Sequence, residues 1–178
     1  MTVFVAMLRG VNVGGNSLKM DWLRGACEGI GLKNVRSYVQ SGNLVFNSGS
    51  SAGKLEPALK KLIDAQTRLP VTVVIRSASE MTKIAAGNPF LKQQGIDIAK
   101  LHVTFLGNAP LKPSVEKLDA LAGTRDQYRL AKQEIYLHCP VSYGQTKLSN
   151  TAIEKALAVG ATTRNWNTVT TLCAMARE

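Results

Sequence analysis

The sequence predicts an α+β protein made of two ferredoxin-like (βαββαβ) subdomains with antiparallel sheets, closed by a C-terminal helix. Residues 2–76 show strand-type and helix-type periodicity in the order β-α-β-β-α-β, and the same order of elements restarts at Leu101 after a stretch containing Asn88-Pro89-Phe90 and Gly95. The strand-to-strand steps are short polar turns, which join antiparallel neighbours. At 178 residues the chain is long enough to bury a sizeable core, as one domain or as two small ones.

In the first strand, residues 2–9, Val3, Phe4, Val5 and the run Ala6 to Leu8 leave neither face polar, the mark of a central strand covered on both sides. A glycine-rich turn follows. Ser17 is the expected N-cap of the next helix, on which Met20, Leu23, Cys27 and Ile30 recur at helical spacing until Gly29 and Gly31 end it. Residues 35–40 and 44–47 read as a hairpin around Ser41-Gly42-Asn43. Beyond the flexible stretch 48–53, Leu55, Leu59, Leu62, Ile63 and Gln66 mark an amphipathic helix stopped by Pro70. A β-branched strand over 71–76 leads to a short helix from Ser77 to Ala86, with Glu80 at the capping-box position.

These features set an N-terminal subdomain at 1–87, a linker at 88–100 and a C-terminal subdomain at 101–178. In the second subdomain, strands are expected at 101–106, 128–131, 134–138 and 161–163, with helices at 114–121 and 149–157. A last helix over 167–176 places Val169, Leu172, Cys173 and Ala176 on one face.

Hydrophobic residues at 45% and charged residues at 19% describe an ordinary soluble globule. No apolar run approaches the roughly 20 residues of a membrane span, and Met1 to Val5 reads as a strand rather than a leader, so the cytoplasm is the expected compartment. Cys27, Cys139 and Cys173 form no C-x-x-C pair, which supports neither a disulfide framework nor a zinc knuckle. The formal net charge of +10 suits an anionic partner, a small molecule or nucleic acid, although the charges are scattered and only Lys60 and Lys61 are adjacent.

The strongest candidate site starts at Arg9. Gly10, Asn12, Gly14 and Gly15 form a strand-to-helix turn able to present backbone N–H groups, as anion sites do. Ferredoxin-like topology sets this loop beside the hairpin Gln40-Ser41-Gly42-Asn43, with Leu69-Pro70 entering nearby; Arg164 and Asn165 are further candidates for the same ligand. Gly10 to Ser17 also fits the spacing of a phosphate-binding P-loop, but Asn16 stands where the Lys is required and the hairpin breaks the parallel sheet that motif needs. No dinucleotide fingerprint is present, and no motif asks for a cofactor.

A second candidate site joins His102, Tyr136, His138, Tyr143 and Lys147. Alternation puts His102 and Thr104 on one face of their strand and Tyr136 and His138 on one face of theirs, and pairing those faces predicts an acid-base pair of histidines for a small enzyme acting on a phosphorylated or amide substrate. No third His joins them, so a metal triad is unsupported. An exposed Tyr136 would resemble the base-stacking aromatic of RNA-recognition modules, which use several. Covalent catalysis finds no support: no G-x-S-x-G elbow occurs, and Cys139, next to His138, points to the opposite face. A non-catalytic interaction module is the third reading.

At Leu-Arg-Gly-Val-Asn-Val-Gly-Gly (8–15), Tyr-Val-Gln-Ser-Gly-Asn (38–43), Asn-Pro-Phe (88–90) and Ala-Thr-Thr-Arg-Asn-Trp-Asn-Thr-Val (161–169), the sequence resembles a bacterial family of unknown function, DUF1697. The likeness runs over essentially the whole chain. It implies two ferredoxin-like subdomains and supplies no reaction.

Overall fold

The structure, a computed structural model, describes residues 1–12, 17–68 and 70–178, without the side chains of 112–115. The chain divides into two compact units, Met1–Lys83 with Thr171–Glu178, and Ile84–Thr170. Each contains a four-stranded antiparallel sheet in the ferredoxin-like order.

In the first unit the order is β2-β3-β1-β4, from β1 (Thr2–Arg9), β2 (Lys33–Tyr38), β3 (Asn43–Ser48) and β4 (Thr72–Ser77). β1 is central, as its double-sided apolar pattern requires. Phe4, Ala6 and Leu8 pack with Leu44, Phe46, Val73 and Ile75 against Leu23 and Cys27 of α1 (Met20–Gly29) and Leu55, Leu59 and Ile63 of α2 (Ala52–Thr67). Val5, Met7, Val45 and Val74 are buried on the opposite face. There the edge residue Arg36 donates to the Met175 carbonyl and pairs with Glu178, which ties the chain's last residues to this sheet and not, as expected, to the second half.

Several local expectations change. The first helix has Lys19 at its N-cap, not Ser17, and Ile30 lies past its end and is exposed. The second strand ends at Tyr38 because Val39 takes φ +50°, a left-handed conformation that breaks the extended chain. The capping box is as expected: Ser77 N–H and hydroxyl both donate to Glu80 Oε2, at 2.7 and 2.8 Å, at the start of α3 (Ala78–Ala86). Residues 88–100 are more than a linker. Asn88 accepts from Phe90 N–H to cap a 3-10 turn, Asp97 caps another, and Phe90 is fully buried, since a large apolar ring loses more by exposure than a connection gains.

The second unit has the order β6-β7-β5-β8, from β5 (Leu101–Leu106), β6 (Gln127–Leu130), β7 (Glu134–His138) and β8 (Ala161–Asn165). Leu106, Ile135, Leu137 and Ala161 pack with Leu118 of α4 (Lys112–Ala122) and Ile153 and Leu157 of α5 (Asn150–Leu157). α6 (Trp166–Met175) follows β8 directly, with Asn165 Oδ1 accepting from Thr168 N–H at 2.8 Å to cap it.

The register between β5 and β7 overturns one expectation. Leu101 lies opposite His138, His102 opposite Leu137 and Val103 opposite Tyr136. Directly opposed residues of an antiparallel pair share a face, so His102 and His138 lie on opposite faces of the sheet. Matching polar with polar across the strands misplaced the register by one residue, which flips every side chain. Polarity was no guide because β5 is buried on both sides, Thr104 included.

The turn joining β2 to β3 is fixed by steric contact. Leu8 N–H donates to Gly42 O at 2.8 Å, and a Cβ on Gly42 would stand 2.6 Å from Val11 Cγ2 and 2.8 Å from Leu8 Cβ at φ +74°. Leu8 sits in a central strand and cannot yield. Gly42→Ala is therefore expected to cost about 3 kcal/mol, combining left-handed strain with overpacking, read as a lowered urea midpoint at unchanged m-value.

Candidate functional site: one end of the first sheet

Because β3 and β4 both run antiparallel to β1, the end of β1, the β2-β3 turn, the end of α2 and the start of β4 meet at one end of the sheet. The expected neighbourhood of the two turns forms. Asn12 Nδ2 donates to Gln40 O at 2.6 Å, and the Cβ position of Gly10 is 3.3 Å from Pro70 O. Gly14, Gly15 and Asn16, like Leu69, lie outside the described residues.

Several residues assigned to ligand binding hold the protein together instead. Asn12, at φ +54°, accepts from Leu18 N–H at 2.6 Å and returns a bond to Leu18 O at 3.0 Å while reaching Gln40, so its carboxamide is spent on three backbone groups. Asn43 is fully buried and donates to Tyr38 O (3.1 Å) and Ser41 Oγ (2.9 Å), closing its own turn. Gly42 faces Leu8 and Val11. A short polar side chain in a turn satisfies nearby backbone groups before it serves a ligand.

The groups that remain are main-chain donors and cations. Among the described residues the N–H groups of Val11, Asn12, Gln40 and Gly42 donate to no acceptor. Gly10 and Asn12 have φ +89° and +54° with Val11 at negative φ between them, the alternation that turns successive N–H groups into a concave nest. Gln40 and Ser41 are exposed and Arg9 is half-buried. Lys19 follows the clamped Leu18, and Arg68, a left-handed C-cap of α2, precedes Pro70 by two residues; both are exposed. Sequence reasoning passed over Lys19 and Arg68, although the same topology that paired the loops carries the start of α1 and the end of α2 to this edge.

Removing the Asn12 clamp should loosen this end. Asn12→Gly, which keeps the backbone conformation accessible, is expected to cost about 2 kcal/mol from the lost hydrogen bonds, and Asn12→Ala about 1 kcal/mol more from its Cβ in the left-handed region. Equilibrium urea denaturation of the two variants measures both contributions.

The residues of the second candidate site separate. His102 stacks on Tyr143 with ring centroids 4.8 Å apart, whereas His138 packs 5.9 Å from Phe90. They cannot share a proton pathway across the sheet. Tyr136 is buried, not exposed, and its hydroxyl donates to Ile84 O at 3.0 Å; burial pushes the phenol up to about 12. It offers no stacking platform. Lys147 lines a shallow cavity with Arg125, Asp126 and Gln145.

Arg164 belongs to the second unit, where it donates to Thr162 Oγ1 (2.8 Å) and Thr163 O (3.0 Å), and burial lowers its guanidinium to about 10. Asn165 serves as the helix cap. Among the described residues no three His, Cys, Asp or Glu side chains could hold a metal ion, and no helix is long and apolar enough to cross a membrane.

Burial holds the His102 imidazole below its ordinary range, against a weaker opposing pull from the Lys100 carbonyl. The unfolded chain therefore takes up the proton first, and the folded state loses stability as pH falls from about 6.5 toward the lowered value. His102→Phe keeps a ring on Tyr143 and removes this loss. Its Tm relative to the native chain should rise between pH 7.5 and 5; a pH-independent difference would contradict a neutral buried ring.

Among curated proteins none matches the chain. A solved structure of a conserved bacterial protein from Streptococcus pneumoniae aligns with 100% of this chain and 99% of its own at TM-score 0.81 and 22% sequence identity, a likeness of fold. The family described as "Protein of unknown function (DUF1697)" matches residues 1–136, a span that takes in both clamped turns, two of the four strands of the second sheet and the start of a third. The chain belongs to the DUF1697 family.

Proposed function

We propose that the chain is a cytoplasmic binding protein whose ligand presents a phosphate-type anion to the end of the first sheet. The observation that carries this reading is the turn from Gly10 to Asn12, whose alternating φ signs and uncommitted N–H groups make a concave donor surface. Arg9, Lys19 and Arg68 converge on the same edge, and the net charge of +10 favours approach of an anion from any direction. An oxyanion there would receive main-chain hydrogen bonds from a frame already fixed by Asn12 and Gly42, so little ordering cost accompanies binding. No bond-breaking step follows from these groups. None of them is a base positioned beside a nucleophile.

Amide NMR spectra recorded while inorganic phosphate, pyrophosphate and ATP are added test this directly. Saturable shifts are expected at Gly10, Val11, Asn12, Gln40 and Gly42, and Arg9→Ala should weaken them by about 10-fold or more, the worth of one charge-assisted hydrogen bond. Shifts no larger than those from equal chloride would defeat the proposal.

A further inference from the structure

The solvent face of α2 carries Lys54 and Lys61 two helical turns apart, and Arg68, the C-cap, follows Lys61 at the same seven-residue spacing, so the three cations fall in one line along the helix and off its end. All three are exposed. The helix buries Leu55, Leu59 and Ile63, on the far side. Between the cations the face holds the small side chains of Pro57, Ala58 and Ala65, over which an extended chain can pass closely, together with Asp64 between Lys61 and Arg68. Among the described residues none of the three is ion-paired. Of the acidic residues on this helix, Asp64 turns Oδ1 to Val71 N–H at 3.3 Å, and Glu56 lies on the flank, nearer the buried side.

The line spans about 21 Å at 1.5 Å per residue. It ends at Arg68, two residues from Pro70, whose carbonyl abuts Gly10. A single phosphate fills the turn but leaves the line unused. A polyanion could engage both.

We infer that α2 is a track for the sugar-phosphate backbone of single-stranded nucleic acid, leading from Lys54 through Lys61 and Arg68 to the donor turn at Gly10–Asn12. This rests on the anion-binding reading of that turn and adds a macromolecular partner to it. Cations in line at a regular two-turn spacing match a repeating, flexible line of negative charge, and contacts to phosphate alone carry no base preference.

The test is fluorescence anisotropy of a labelled 20-nucleotide oligothymidylate with the full chain at 50, 100 and 200 mM KCl. Counterion release of about 0.7 per phosphate predicts that Lys54→Ala/Lys61→Ala/Arg68→Ala flattens the slope of log K against log salt by about two and weakens binding about 100-fold at 0.1 M. A second variant, Lys92→Ala/Lys132→Ala/Lys155→Ala, removes the same charge from exposed positions of the second unit and should leave that slope unchanged. Far-UV circular dichroism checks that both fold. Equal effects of the two variants would overturn the track, as would an oligonucleotide that fails to bind at 50 mM salt. If phosphate still shifts the Gly10–Asn12 amides in that case, the turn is an anion site and the track alone is wrong. Capture on phosphatidylserine vesicles, lost in the first variant without any effect on oligonucleotide binding, would overturn it in favour of a lipid surface.

Discussion

One carboxamide fixes the end of the first sheet. Asn12 bonds to both backbone groups of Leu18 and to the carbonyl of Gln40, so the exit from β1, the approach to α1 and the β2-β3 turn share a single anchor. These segments are distant in sequence and would otherwise be independent loops. The anchor works only because Gly42 lets the turn approach Leu8 and Val11 within side-chain contact. Arg9, Lys19 and the donor turn inherit their positions from it.

The second unit solves the same problem with different chemistry. Leu106 N–H donates to Gln133 O at 2.9 Å, as Leu8 N–H does to Gly42 O, and Gly107 N–H donates to Gly160 O at 2.8 Å where Gly10 abuts Pro70. The C-caps Arg68 and Ala158 are both left-handed. Asn108, after the second glycine, is exposed and takes no such anchoring role. The repeated topology therefore reproduces the geometry of the strand ends, while the clamp and its cations belong to the first copy. A fold dictates where loops gather. Side chains decide what they do there.

Much of the architecture was legible because it rests on periodicity. The double-sided apolar run of β1 named a central strand, Ser77 and Glu80 named a helix start, and the order of elements named both sheets. What was not legible depends on contacts between segments. Val39 looks like strand continuation until its left-handed φ ends β2, and the apolar ring of Phe90 is buried in a stretch that reads as a connection. The histidines failed for a sharper reason. Alternation within each strand was right, but register belongs to the pair of strands, and with both faces of β5 covered the polar residues had no preferred side.

The same distinction separates the expected ligand groups from those the fold leaves available. Asn12 and Asn43 attracted attention as polar side chains in glycine-bearing turns, yet such residues are the ones best able to satisfy the backbone they interrupt. Once they are committed, recognition falls to main-chain N–H groups held in place and to the long, exposed cationic side chains of Lys19 and Arg68. Rigid N–H groups register the position and geometry of an oxyanion; cations on flexible stems add attraction that weakens with salt. Neither kind reads a hydrogen-bonding pattern on the rest of a ligand. A site so composed selects for charge and for the shape of the anionic group, and its discrimination among ligands sharing that group depends on what their other atoms meet beyond the turn.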